Sequence, residues 1–285
     1  MKKSLYPIIV LTALSLSCLI SCGTSKGMEG PELGDRALYD KAQEYIKDED
    51  FKAAVMVLNT IENNFPNSIY YKQARLLKAD ALFAEGLRSS FIEAEAEYKA
   101  YITLYPTSDD LDYVQKQIAL CRWNRHKSIK VDPSEVIRGI EEFNIFFKKY
   151  PSSKYVADVK AALNDANNHM AEHEEYVGDY YMKVNKFHAA EKRYAPALEY
   201  CRGQEKKYQL YLKLFTSLEM QDKIEESQAL YDKLLKEKTD TGTDSPVISE
   251  IQRRLENLRK KVAGQPKPPA NVKTDLPEKK TDISE

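Results

Sequence analysis

Three times along the chain an aromatic residue, a proline and two polar residues stand together: Phe65-Pro66-Asn67-Ser68, Tyr105-Pro106-Thr107-Ser108 and Tyr150-Pro151-Ser152-Ser153. Proline lacks an N–H and its ring clashes with the preceding helical turn, so each group stops a helix. The Ser, Thr or Asn behind it can cap the next one. The segments in front share a spacing. Phe51, Ala54, Leu58 and Ile61 are matched by Phe91, Ala94, Tyr98 and Tyr101, and again by Val136, Gly139, Phe143 and Phe146. A large residue, a small one three later, a large one four later and another three later make one face of a helix. The small residue lets a partner helix come close. Two copies lack the proline: Phe187, Ala190, Tyr194, Ala197 and Ile224, Ser227, Tyr231, Leu234.

Each copy follows a helix with its own apolar side, through short polar turns such as Lys47-Asp48-Glu49-Asp50, Gly86-Leu87-Arg88-Ser89-Ser90 and Met220-Gln221-Asp222-Lys223. Leu38, Ala42 and Tyr45 precede the first copy, and Gly178 and Tyr181 precede the fourth at positions that suit a close helix crossing. This pattern resembles the tetratricopeptide repeat, with longer periods. Such units bury their apolar faces only by stacking on neighbours. The expectation is an all-α, tetratricopeptide-repeat-like solenoid of about five helix pairs over residues 35–237, with Lys154 to Lys183 running as one long helix. An irregular helical bundle is the rival. Lys238 to Ser245 is expected to be a polar break, residues 246–262 a capping helix, and residues 263–285, with Pro266, Pro268, Pro269 and Pro277 among mixed charges, a disordered tail.

The chain opens with Met1-Lys2-Lys3 and an apolar run from Leu5 to Ile20, the order of a secretory signal. The run ends Leu19-Ile20-Ser21-Cys22, the pattern of a bacterial lipoprotein processing site. Residues 1–21 are therefore expected to be removed and Cys22 lipidated, with more than one acyl chain for stable anchoring. Residues 22–34 read as a flexible tether. Gly23 stands where an aspartate would favour retention in the inner membrane, so the outer membrane is favoured.

A formal net charge of -1 offers no basic surplus for nucleic acid. Cys121 and Cys201 have no metal-ligand spacing and fall in apolar helical stretches, so two buried free thiols are expected, with a disulfide as the alternative. His169 and His173 share a helix face, but a polar surface accounts for them without a metal. Arg122, Arg125, His126, Lys127 and Lys130 around Trp123 read as a solvated helix end with one ring packed inward, or as a surface for an acidic partner or lipid headgroups. No catalytic constellation or cofactor site is present in the pattern, and the chain is not expected to be an enzyme. Among 19 tyrosines, the pairs Tyr70-Tyr71 and Tyr180-Tyr181 and nearby Tyr176 are candidate partner-binding rings, one of each pair facing the neighbouring helix and the other a groove.

With the lipoprotein pattern in front, Leu38-Tyr39-Asp40-Lys41-Ala42, Phe65-Pro66-Asn67-Ser68, Asp112-Tyr113-Val114, Tyr150-Pro151-Ser152-Ser153-Lys154-Tyr155 and Tyr176-Val177-Gly178-Asp179-Tyr180-Tyr181 make the chain resemble the BamD (YfiO) family of outer-membrane assembly lipoproteins. The resemblance covers roughly Gly34 to Glu237. It departs in a shorter segment between Tyr113 and Val136 and in the extra tail beyond Val262. It implies a periplasmic, lipid-anchored scaffold of the β-barrel assembly machine. Its partners would be a BamA-like barrel subunit facing Tyr176 to Leu234, unfolded outer-membrane protein precursors on the side from Leu38 to Tyr105, and other assembly lipoproteins. The competing classes are a tetratricopeptide lipoprotein of another envelope process, a metal-binding or enzymatic lipoprotein, and a structural tether.

Overall fold

The computed structural model describes residues 33–126, 128–242 and 245–264. The leader, Cys22, most of the tether and the proline-rich tail lie outside the described residues. The described chain is all-α: α1 (Asp35–Lys47) pairs with α2 (Phe51–Asn64), α3 (Tyr71–Glu85) and α4 (Arg88–Leu104) follow in sequence, and then α5 (Leu111–Asn124) pairs with α6 (Ser134–Lys149), α7 (Val156–Lys183) with α8 (Phe187–Tyr200), and α9 (Gln204–Glu219) with α10 (Ile224–Thr241). A last helix, α11 (Pro246–Ala263), follows and packs on α9 and α10. This is the tetratricopeptide-like architecture that the punctuation implied.

The small position of every repeated stripe is buried: Ala54, Ala94, Gly139, Ala190 and Ser227. Its large neighbours Leu58, Tyr98, Phe143 and Tyr194 are buried with it. Burying a side chain of this size contributes about 1.5–3 kcal/mol. The long helix α7 is continuous, as expected. It stays continuous because nothing in Val156–Lys183 breaks a helix except Gly178, and that glycine is used for packing.

The chain divides into two compact units after Ala81. In the first, Leu38, Ala42, Leu58, Ile61 and Ala74 form the core, flanked by Tyr39, Val57, Phe65 and Leu77. Two of the cores of the second unit flank α7. Ala119, Val136, Phe143, Phe146, Val159, Ala166 and Met170 join α5, α6 and the first half of α7. A larger one, with Tyr194, Tyr208, Tyr211, Phe215, Leu234 and Ile251, joins its second half to α8–α11.

Two devices that the sequence left unread repeat along the chain. The short turns before α2, α4, α8 and α10 each place a left-handed residue two positions before the helix: Glu49 (φ 59°), Gly86 (φ 73°), Asn185 (φ 57°) and Asp222 (φ 56°). The pair α5–α6 instead uses a longer connection from Arg125 to Pro133. The second device sits at the proline groups. The N–H of each serine donates to the carbonyl of the aromatic residue, Ser68 to Phe65, Ser108 to Tyr105 and Ser153 to Tyr150, at 3.0–3.2 Å. In the first and third groups the serine hydroxyl donates 2.6 Å to an aspartate in the first turn of the helix two before: Ser68 to Asp35 and Ser153 to Asp112. In the second, Ser108 bonds Asp110 in its own loop at 3.1 Å.

One boundary differs from the sequence reading. The helix expected to end at Glu237 runs on to Thr241. Lys238, Thr239, Asp240 and Thr241 have no apolar period, yet nothing in them stops a helix. The stop is Gly242, whose φ of 67° ends α10 in the left-handed conformation that glycine adopts at no steric cost.

Candidate partner-binding surface

The second half of α7 has two opposed faces. Inward, its acids are paired across the neighbouring helices: Glu174 with Arg193 (3.2 Å), Glu175 with Lys206 and with Lys213 (2.7 Å), and Asp179 with Lys213 (2.8 Å). Burial pushes Lys213 down, but the hydrogen bonds to Asp179 and Glu175 and their charges outweigh it and hold the ammonium above its usual range. The Tyr194 hydroxyl donates to Asp179 at 2.8 Å, and the ring lies against Gly178. Burial, then the bond to Asp179, push the phenol of Tyr194 well above the usual tyrosine range.

Outward, Tyr176, Tyr180 and Val184 follow one another at four-residue steps and are 44%, 59% and 43% exposed. Residues four apart share one helix face, so these three form an apolar stripe. Tyr181 turns the other way and packs on the C-terminal core, its ring centre 5.6 Å from that of Tyr180. This pair therefore has one ring inward and one outward. In the first unit, Tyr70 and Tyr71 are both half-buried. Tyr70 stacks on Tyr39 at 5.3 Å, and Tyr71 lies 5.9 Å from the guanidinium of Arg75. Val184 was not among the residues that the sequence pattern singled out, although its spacing from Tyr180 marks it.

Within the basic group around Trp123, Arg122 and Arg125 are not part of a solvated helix end. Arg125 is 6% exposed, and with Arg122 it grips Glu95, Arg122 at 2.6 Å; both also face Glu135, at 3.5 and 3.8 Å. Burial pushes the Glu95 carboxyl up, but the Lys99 hydrogen bond and the Arg125, Lys99 and Arg122 charges outweigh it and hold it below the usual carboxylate range. These arginines are consumed inside the protein and are not presented to an acidic partner or a lipid headgroup. Trp123 packs on the middle core, as the inward reading had it.

Cys121 and Cys201 are buried, and neither forms a disulfide. The Nδ1 atom of His173 lies 2.6 Å from the Ile129 carbonyl, and His169 stacks edge-on to His126. Among the described residues no group of three or more His, Cys, Asp or Glu side chains is arranged to hold a metal ion. No described helix is long and apolar enough to cross a membrane. What the surface offers is exposed apolar and aromatic area on a helix that is ion-paired on its inner face.

A family model described as YfiO, outer membrane lipoprotein, matches residues 31–230. The chain belongs to the YfiO family. Relatives of this YfiO chain named outer membrane protein assembly factor BamD occur in several bacteria. That of Vibrio cholerae is 23% identical over 234 residues, covering 76% of this chain and 94% of the relative. That of Pasteurella multocida is 23% identical, covering 64% and 71%, and that of Neisseria gonorrhoeae 24%, covering 68% and 75%. The matched region of the YfiO model takes in α1–α9 and the start of α10, and so includes the whole of the α7 surface.

Proposed function

We propose that this chain is an outer-membrane protein assembly factor: a scaffold held by lipids on Cys22 at the periplasmic face of the outer membrane, gripping the BamA-like barrel subunit of the assembly machine. Membership of the YfiO family and the names of its relatives support the role. The exposed stripe Tyr176, Tyr180 and Val184 carries the choice of surface. Large rings with a polar tip are the side chains that dominate protein interfaces. Here they stand on a helix fixed from behind by Gly178, Tyr194, Asp179 and Lys213, so little ordering cost is left for binding.

No group on this surface needs to react. Insertion of a barrel is driven by burying apolar strands in lipid with every backbone group paired. A scaffold contributes by fixing the barrel subunit near the membrane. In the N-terminal unit the half-buried rings Tyr70 and Tyr71 are the ones assigned to unfolded barrel precursors or to a further assembly lipoprotein. Depletion of the protein in its native host tests the role: folded barrel proteins in the outer membrane should fall while other lipoproteins hold their levels. Unchanged barrel levels after depletion would overturn it.

A further inference from the structure

The connection between α5 and α6, in which no described residue is left-handed, is seated on α7 through aromatic rings. Trp123 stacks on His126 with centres 3.9 Å apart and planes at 20°. His126 meets His169 of α7 at 4.6 Å and 68°, and Trp123 meets the same ring at 5.7 Å, edge to face. One turn further along α7, Nδ1 of His173 lies 2.6 Å from the Ile129 carbonyl, a position that requires an N–H there. The Lys130 ammonium then sits 5.7 Å from the ring centre of Tyr176, the first ring of the exposed stripe.

The charges around these imidazoles are largely committed. On the far side of α7, Glu174, Glu175 and Asp179 are paired with Arg193, Lys206 and Lys213. On the α5 and α6 side, Glu95 and Glu135 are paired with Arg122, Arg125 and Arg138. His126 also borders a cleft with Asp132, Glu135, Arg88 and Arg138. On α7 itself, exposed Asp165 and Glu172 lie one turn either side of His169. His126 and His169 thus face each other.

We propose that His126 and His169 form a proton-sensitive latch that seats the end of α5 on α7 and thereby sets how Tyr176 is presented; the second half of this statement rests on the partner-binding reading of the α7 surface. The His126 ring is held over Trp123 and by the Trp123 carbonyl, and it covers His169 from the α5 side. A proton on His169 puts a cation in a half-buried site against that ring and opens the latch. Burial, then the nearby His126 and His173, hold His169 below the ordinary histidine value of 6.5, so the opening belongs to mildly acid conditions.

Trp123 is the chain's single tryptophan, and a protonated imidazole stacked on an indole quenches it. The full chain in detergent is titrated from neutral to mildly acid pH. Emission is expected to change in a step that His169→Phe removes. Hydrogen exchange of the amides from Ile129 to Val131, corrected for intrinsic rates, is expected to speed up on acidification in the wild type and not in His169→Phe, which keeps a ring but takes no proton. An emission change that His169→Phe leaves untouched, or exchange that ignores pH, overturns the latch. Neither readout involves a partner, so the latch stands or falls apart from the reading of the surface. A barrel subunit that binds with the same affinity at both pH values while the latch titrates would overturn the coupling to Tyr176.

Discussion

A methyl group on Gly178 would stand 2.5 Å from Cε1 and 2.8 Å from Cδ1 of Tyr194. Tyr194 has no way to retreat: it is 1% exposed, and its hydroxyl is tied to Asp179 one residue beyond the glycine. The glycine is therefore what lets α7 and α8 close. Gly178→Ala should destabilise the fold by about 1–3 kcal/mol through overpacking, even though alanine is favoured over glycine in a helix by about 1 kcal/mol. Urea or thermal unfolding checks the sign, and a stabilised variant would contradict this account of the crossing.

Glu95 neutralises Arg122 and Arg125 where little water reaches them. Removing its charge leaves the two cations with Glu135 alone, and Glu95→Gln should cost about 2–4 kcal/mol, a little under the roughly 3–5 kcal/mol of a buried pair broken on one side. The pH dependence has a definite sign. Because the folded carboxyl is held below its usual value of 4.5, the stabilisation is complete above that pH and is lost as pH falls through the lower folded value. Chemical denaturation of wild type and variant between neutral pH and acid should show a shallower acid slope for Glu95→Gln.

In the first and third proline groups the serine ties the loop to an earlier helix. Ser153 donates to Asp112 across 41 positions of chain. Ser153→Ala should cost about 1 kcal/mol, the net worth of one such hydrogen bond. A double-mutant cycle with Asp112→Ala should recover a coupling of similar size, while Ser152→Ala, at an exposed position, should change little.

The repeat was legible because its signals are local. Proline placement and the spacing of Ala54, Ala94, Gly139, Ala190 and Ser227 follow from helix geometry within a dozen residues, and all five positions are buried. The fate of Arg125 was not legible. Its partner Glu95 lies 30 positions away, and a run of basic residues with no acid beside it looks solvated. The ring cluster of Trp123, His126 and His169 was hidden for the same reason, since two of its members are on one helix pair and the third on the next. For the tyrosines, sequence supplied the pairs but not the orientation. A helix turns by about 100° per residue, so neighbours such as Tyr180 and Tyr181 must diverge, but only the packed α8 and α9 decide which of them is covered.

The central claim is that the α7 stripe grips the barrel subunit, and co-purification from detergent extracts tests it most directly. Tyr176 and Tyr180 are exposed, so a Tyr176→Ala/Tyr180→Ala chain should keep its stability within about 0.5 kcal/mol per site. Loss of two central rings should weaken binding by about 2 kcal/mol or more, enough to remove most of the barrel subunit from the eluate. The account predicts a stable, lipid-anchored variant that no longer brings the barrel subunit down. A variant that retains it as fully as the wild type would contradict the claim.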